Sequence, residues 1–399
     1  LPVIFGSRSR LATRSGFARP VSTRFLPGLA PSATNSHNAA NDLRRKGVER
    51  SEIIIGGDTA GIEWRVPVFR FKGSDSAAPS AYIQAALHAN ELPGTALLHF
   101  LLERLRKAEA DGAIRGDITV VPQANPIGLA QYHFGEMEGR FDLGSRTNFN
   151  RDFPLVALAG RDTLLETFES RSAADRLKRT LLHTALGADL VLDLHCDDES
   201  LQYAYIDEAF WPEAADLASA LDMEAVFLSD GESTAFEEAV GHAFKRQGGD
   251  KLKSVPGRLA VTVELRGRRD VYPDMARRDA DGLWTFLAGR GVVADPAHEA
   301  KPYAGPAVPL DNIEMVKAPE PGTVLFHRDI GDEVKAGDLI ATLIVRPGEP
   351  GGTLAVTAGH DGLIATRCSA RYARRGDDLM KIACREATRK DRKPGTLED

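Results

Sequence analysis

Apolar and polar positions follow two different rhythms along this chain. Between about Ile53 and Val293, short solid apolar runs alternate with stretches of helical spacing. The run Ala81-Tyr82-Ile83-Gln84-Ala85-Ala86-Leu87 predicts a buried strand, and Pro93-Gly94-Thr95 then breaks the chain. Leu98, Leu101, Leu102 and Leu105 recur at helical intervals and predict a helix from Thr95 to about Ala110. Further strands are predicted at Ile118–Val121, Leu190–His195 and Leu259–Leu265, with a helix from Leu177 to Leu186. Such alternation implies an α/β fold, a mixed but mostly parallel sheet flanked by helices, with reactive residues at the carboxyl ends of strands. His88, His195 and Glu264 all fall at such ends.

From Ala318 onward the rhythm shortens to β segments separated by glycines. Ala318-Pro319-Glu320-Pro321-Gly322 leads to Gly337-Asp338, and Ala358-Gly359-His360-Asp361-Gly362 leads to Gly376-Asp377. The glycine-to-glycine spacings, Gly322 to Gly337 and Gly362 to Gly376, are 15 and 14 residues. This internal repeat predicts a small β barrel-sandwich of two interlocked halves that resembles the biotinyl/lipoyl fold. Carriers of that fold present an attachment lysine between the halves. Here the connection Arg346-Pro347-Gly348-Glu349-Pro350-Gly351-Gly352 contains none, so the module reads as structural or substrate-gating. Residues 302–309 read as the linker.

Composition narrows the class. Hydrophobic residues make up 43% of the chain and charged residues 27%, as in ordinary globular enzymes. The net charge of −7 disfavours nonspecific nucleic-acid binding. No apolar run approaches the ~20 residues that span a bilayer. Three cysteines without a CxxC pair read as reduced thiols, which suits the cytoplasm. The first 41 residues carry five arginines and no acid, leaving −12 on the rest. That segment reads as a disordered tail or, alternatively, as a mitochondrial transit peptide.

The candidate chemistry lies at the strand ends. His88 and Glu91 are three residues apart and His195 comes 104 residues after Glu91. Two imidazoles and a carboxylate are the ligand set of a catalytic zinc with one open position. An isolated HxxE is far more often surface polarity than a metal site. Here it ends an apolar strand, where burial without a partner is costly. Asp193 shares a strand face with His195 and is placed either to orient its imidazole or to form a salt bridge. Glu264 interrupts an apolar strand. It is either a general base for a zinc-activated water or a salt-bridge partner of Arg266 or Arg268. In Arg146-Thr147-Asn148-Phe149-Asn150-Arg151, Arg151 offers a planar fork for a substrate carboxylate and Asn150 an amide donor. Arg140 or Arg146 is placed to polarise the scissile carbonyl.

In this order, these residues resemble the zinc carboxypeptidase superfamily, and more closely its succinylglutamate desuccinylase/aspartoacylase branch, over about Ile53 to Val293. The C-terminal β module also fits that branch. The resemblance implies His88, Glu91 and His195 as ligands of one Zn2+ per chain and Glu264 as general base. It implies Asn150 and Arg151 as substrate-carboxylate contacts. For the carbonyl-polarising arginine, Arg140 is favoured over Arg146 by its more apolar context. The superfamily's tyrosine proton donor has no obvious counterpart. The expected domains are a basic tail (1–45), a zinc hydrolase domain (46–300) and the β module (310–399). The expected activity is hydrolysis of the amide of an N-acyl amino acid. The alternatives are carboxypeptidase action on short peptides and a non-catalytic small-molecule binder. The expected partner is a small-molecule substrate, with no nucleic acid and no membrane; a homo-oligomer is left open.

Overall fold

A computed structural model describes residues 49–229, 233–246, 256–299 and 301–388. The basic N-terminal tail and the transit-peptide reading lie outside the described residues. Among the described residues, no helix is long and apolar enough to cross a membrane.

The centre is a nine-stranded sheet. Its strands in chain order are β1 (Glu49–Gly56), β2 (Glu63–Phe71), β3 (Ala81–Ala85), β4 (Ile118–Val121), β5 (Leu190–Asp197), β6 (Gln202–Asp207), β7 (Ala225–Ser229), β8 (Leu259–Gly267) and β9 (Ala307–Pro309). Their spatial order is β1-β2-β4-β3-β5-β8-β6-β7-β9. The pairs β3/β4, β3/β5, β5/β8, β6/β7 and β7/β9 run parallel. The other three pairs are antiparallel. Every residue of β5 from Leu190 to Cys196 is buried, so both faces of the central strand are covered. That is why the central strands read as solid apolar runs.

Four long helices flank the sheet: α1 (Pro93–Ala110), α2 (Ala173–Ala185), α3 (Phe236–Lys245) and α4 (Pro273–Gly289). The leucines at 97, 98, 101, 102 and 105 form the buried face of α1, which packs against α4 and the sheet. Helix α1 starts two residues before the expected Thr95, because Pro93 and Gly94 form its first turn. Proline tolerates that place, where no backbone donor is needed. Glycine is required at 94: a Cβ there would lie 2.8 Å from Leu194 Cβ and 2.9 Å from Ala85 Cβ. The helix start therefore rests directly on β3 and β5. Strand β3 stops at Ala85, two residues short of the expected Leu87, because Ala86 turns the chain with φ +57°.

The C-terminal module is two β layers. Its strands are β10 (Ile313–Lys317), β11 (Gly322–Phe326), β12 (Leu339–Ile344), β13 (Thr353–Thr357), β14 (Gly362–Arg367) and β15 (Asp378–Cys384), with short strands at Glu333–Val334 and Tyr372–Ala373. The repeated turns interlock. Gly337 N donates to the Ala358 oxygen (2.8 Å) and Ala358 N to the Asp338 oxygen (3.0 Å). Gly376 N and Asp377 O make the matching pair with Ala318, both at 2.8 Å. Each half thus closes on the first residue of the other half's repeat.

The module is joined to the main sheet in two ways. Glu199–Ser200, just after β5, pairs with β14 in the register Thr366↔Ser200 and Arg367↔Glu199. A third apolar cluster, distinct from the cores of the two parts, unites Tyr203, Phe227, Leu310, Met315 and Ala365. The expected linker is itself structural, since Ala307–Pro309 forms the ninth strand at the sheet's edge. Three residues ending in proline carry no strand pattern, yet an edge position accepts them.

Phe227 is fully buried in this joint, its ring 4.6 Å from Tyr203 and 5.6 Å from Tyr205. Phe227→Ala is expected to lower stability by ~3–5 kcal/mol. Urea unfolding should show one transition moved to lower denaturant. Two well-separated transitions in the native protein would mean the joint is not a shared core.

Candidate active site

The site grows from the loop between β3 and α1. Asn125 Nδ2 donates to the Leu87 carbonyl (2.8 Å), and Ala89 N donates to the Gly139 oxygen (2.9 Å). Gly139 approaches so closely that a Cβ would lie 2.4 Å from Asn90 N. So pinned, the loop presents His88 and Glu91 to His195 near the end of β5. All three are 3% exposed. The imidazole rings stand 4.8 Å apart at 81°.

Glu91 lies between the two rings. Its Oε1 is 2.9 Å from His88 Nδ1 and its Oε2 2.8 Å from His195 Nδ1. The outer ring nitrogens are also held. His88 Nε2 is 2.8 Å from Asn148 Oδ1, and His195 Nε2 is 2.9 Å from Asp193 Oδ2. Asn150 N donates to Asn148 Oδ1 (2.8 Å), which marks that atom as an acceptor. Each Nε2 thus faces an acceptor, and each Nδ1 faces the Glu91 carboxylate; against the effect of burial, the charges of Asp193 and Glu91 hold His195 well above the ordinary imidazole range, so its ring can donate on both sides. With those protons given up to a metal, the same three groups would turn two Nδ1 lone pairs and a carboxylate toward one point. Their ligand atoms lie within 4.8 Å of one another. The donor types, burial and outer acceptors fit a zinc ion. Asp193 is fully buried, and its second oxygen accepts from Gln84 Nε2 (3.0 Å).

His88 and His195 open onto a cavity of about 330 Å³, the size of a small ligand, while Glu91 lines an adjoining one that shares Arg140, Cys196, Asp197 and Lys381 with it. Glu264 lines the first of these and stands in register with His195 on the neighbouring strand. Burial pushes its carboxyl up to about 8. Its Oε2 has no hydrogen-bond partner among the described residues. The salt-bridge alternative is not observed: Arg266 is taken by Gln202 and Asp279, and Arg268 by Asp198.

Arg140, Asn150 and Arg151 also line the cavity. Arg140 Nη1 donates to Glu91 Oε1 (3.1 Å) and lies 3.2 Å from His88 Nδ1. Asn150 Oδ1 accepts from Phe236 N (2.8 Å), which ties the motif to the start of α3. Arg151 Nη1 donates to the Asn150 oxygen (2.8 Å). Arg146 is not brought to the site. It sits exposed in a turn with φ +63°, its backbone N bonded to the Asp142 oxygen (2.6 Å), and it is absent from the cavity wall.

Some residues of the site escape sequence reading. Asn148 lies in the recognised Asn-Arg segment, but nothing local separates its task from that of Asn150. Lys381 comes from β15 of the C-terminal module. Buried, it reaches Asp197 Oδ2 (2.9 Å) and Tyr205 OH (3.4 Å). Tyr205 is the tyrosine on the cavity wall. Glu237, in the first turn of α3, lines the same cavity.

Comparison with known proteins agrees with this architecture. The model of the succinylglutamate desuccinylase/aspartoacylase catalytic domain matches residues 77–290. No curated protein matches significantly. Among solved structures, a protein of this family from Shewanella amazonensis is 28% identical with a TM-score of 0.74, over 84% of this chain and 99% of that one. One from Shewanella frigidimarina is 25% identical with a TM-score of 0.73, over 85% and 98%. The product-bound ectoine utilization protein EutE of Ruegeria pomeroyi, at 19% identity, shares the fold with a TM-score of 0.64, over 86% and 96%. The chain therefore belongs to the succinylglutamate desuccinylase/aspartoacylase family, a group of acyl-removing hydrolases.

Proposed function

We propose that this protein is a zinc-dependent deacylase that hydrolyses the amide bond of an N-acyl amino acid. The observation that carries this reading is the convergence of three buried donors, two of which line a small cavity together with Glu264, whose shielded Oε2 has no hydrogen-bond partner among the described residues. His88 Nδ1, His195 Nδ1 and the Glu91 carboxylate would hold the ion. When bound, zinc supplies Lewis-acid polarisation of water and of the acyl carbonyl.

The chain's own residues supply the rest. Glu264 takes the proton of the attacking water on its carboxylate and delivers it to the amide nitrogen as the C–N bond breaks. A carboxyl raised by burial toward neutrality suits both halves of that task. Arg140 offers its guanidinium to the charge that develops on the carbonyl oxygen. Arg151 grips the substrate carboxylate and the Asn150 amide adds a donor. Asp193 and Asn148 hold the two rings in their tautomers, so the Nδ1 lone pairs stay on the metal side. Lys381, from the β module, walls the cavity and favours a small substrate over an extended peptide.

The direct test is hydrolysis of N-acetyl and N-succinyl amino acids against short peptides, with and without a chelator. Chelator-sensitive release of free amino acid is expected; chelator-insensitive turnover, or peptides as the better substrates, would overturn the reading. Glu264→Gln is expected to keep the melting temperature and zinc content while lowering kcat by ~10²–10⁴-fold. Wild-type turnover in that variant would remove Glu264 from the reaction. Asp193→Asn replaces the acceptor behind His195 and is expected to weaken zinc binding by ~10–100-fold, read by competition with a chromogenic chelator.

A further inference from the structure

The cavity wall next to Asn150 and Arg151 carries an acid that the proposed hydrolysis does not use. Glu237 and Glu238 are consecutive in the first turn of α3, and both line the cavity. Their situations differ. Glu238 Oε2 accepts from Ser233 N (2.7 Å), so it holds the turn that enters the helix. Glu237 has no such duty. Its Oε2 is shielded from solvent and makes no hydrogen bond among the described residues. Thr262 lies beside it, its hydroxyl close enough to interact with the Glu237 carboxyl but making no well-formed hydrogen bond among the described residues.

A carboxylate oxygen in this state is costly unless a donor arrives. Burial, aided by the charge of Asp193, raises the Glu237 carboxyl. A cation entering the cavity would reverse that and restore the charged form. The Phe236 N to Asn150 Oδ1 bond fixes Glu237 one residue from a direct link to the Asn-Arg motif. The cavity thus offers a guanidinium for an anionic group and a buried carboxylate for a cationic one.

We propose that Glu237 is the subsite for a positively charged substrate side chain, so that the preferred substrates are N-acyl amino acids carrying a free amine or guanidinium. This rests on the deacylase reading and deepens it. The substrate's carboxylate lies at Arg151, its acylated nitrogen by Glu264, and its side-chain cation donates to Glu237 Oε2 and to Thr262 Oγ1. A neutral chain of equal length leaves the shielded Glu237 Oε2 without a donor. An anionic one adds repulsion.

The test uses the zinc-loaded full chain and three substrates: Nα-acetylornithine, its uncharged isostere Nα-acetylnorleucine, and N-acetylglutamate. A charge-assisted hydrogen bond corresponds to a preference of about 10- to 100-fold in kcat/KM for the ornithine derivative over the norleucine one. Glu237→Gln should collapse that ratio, and Glu237→Lys should turn the preference toward N-acetylglutamate. A wild-type preference for norleucine or glutamate would overturn the proposal. So would a Glu237→Gln variant that melts earlier but keeps the ratio, since that marks an acid with only a helix-capping role. If no acyl amino acid is hydrolysed, the deacylase reading fails, and calorimetry with free ornithine and norleucine still decides the subsite. Ornithine binding no tighter than norleucine would sink it; tighter binding lost in Glu237→Gln would sustain it.

Discussion

A buried carboxylate held between two buried imidazoles governs the layout of this molecule. Glu91 spans His88 and His195 with contacts of 2.9 and 2.8 Å, and its Oε2 also accepts from Cys196 N at 3.2 Å. Such a group is tolerable only where the surrounding backbone holds every partner in place. Parallel pairing of β3 with β5 brings the two strand ends side by side. The bare Cα of Gly94 lets α1 begin close above them, and the Asn125 amide fixes the loop between. Displacement of any one of these would leave buried charged groups without the partners that make their burial tolerable.

Much of this layout is legible in the sequence alone. The central strands are covered on both faces and so appear as uninterrupted apolar runs. Helix α1 shows its leucine face at regular intervals. His88, Glu91 and His195 stand out because metal-binding residue types end those apolar runs, and the structure brings them together. The departures have local causes. Proline and glycine suggest a break where they form the first turn of α1. A positive φ at Ala86, which alanine does not advertise, shortens β3. The edge strand Ala307–Pro309 is too brief to show a period.

The residues that escape sequence reading share a different cause. Asp197 and Lys381 meet across 184 positions of chain, and no periodicity reports a contact of that separation. Glu237 looks like an ordinary acid in a helix's first turn, where acids are common. Its meaning comes only from the cavity it faces. Arg146 and Arg140 cannot be separated by residue type. The turn geometry at Arg146 separates them, because it faces that side chain outward.

The strand pairing of Glu199–Ser200 with β14 has a consequence for synthesis. The edge that β14 offers to the main domain, and the amine that walls the cavity, come from residues 362–384. A nascent chain that has completed all nine strands of the large sheet still lacks them. His88, Glu91 and His195 are then present, yet the cavity lacks the wall that Lys381 provides. Contacts of such long sequence separation form late. Maturation of the pocket is therefore tied to emergence of nearly the whole described chain from the ribosome, which keeps an unfinished polypeptide from holding a finished site.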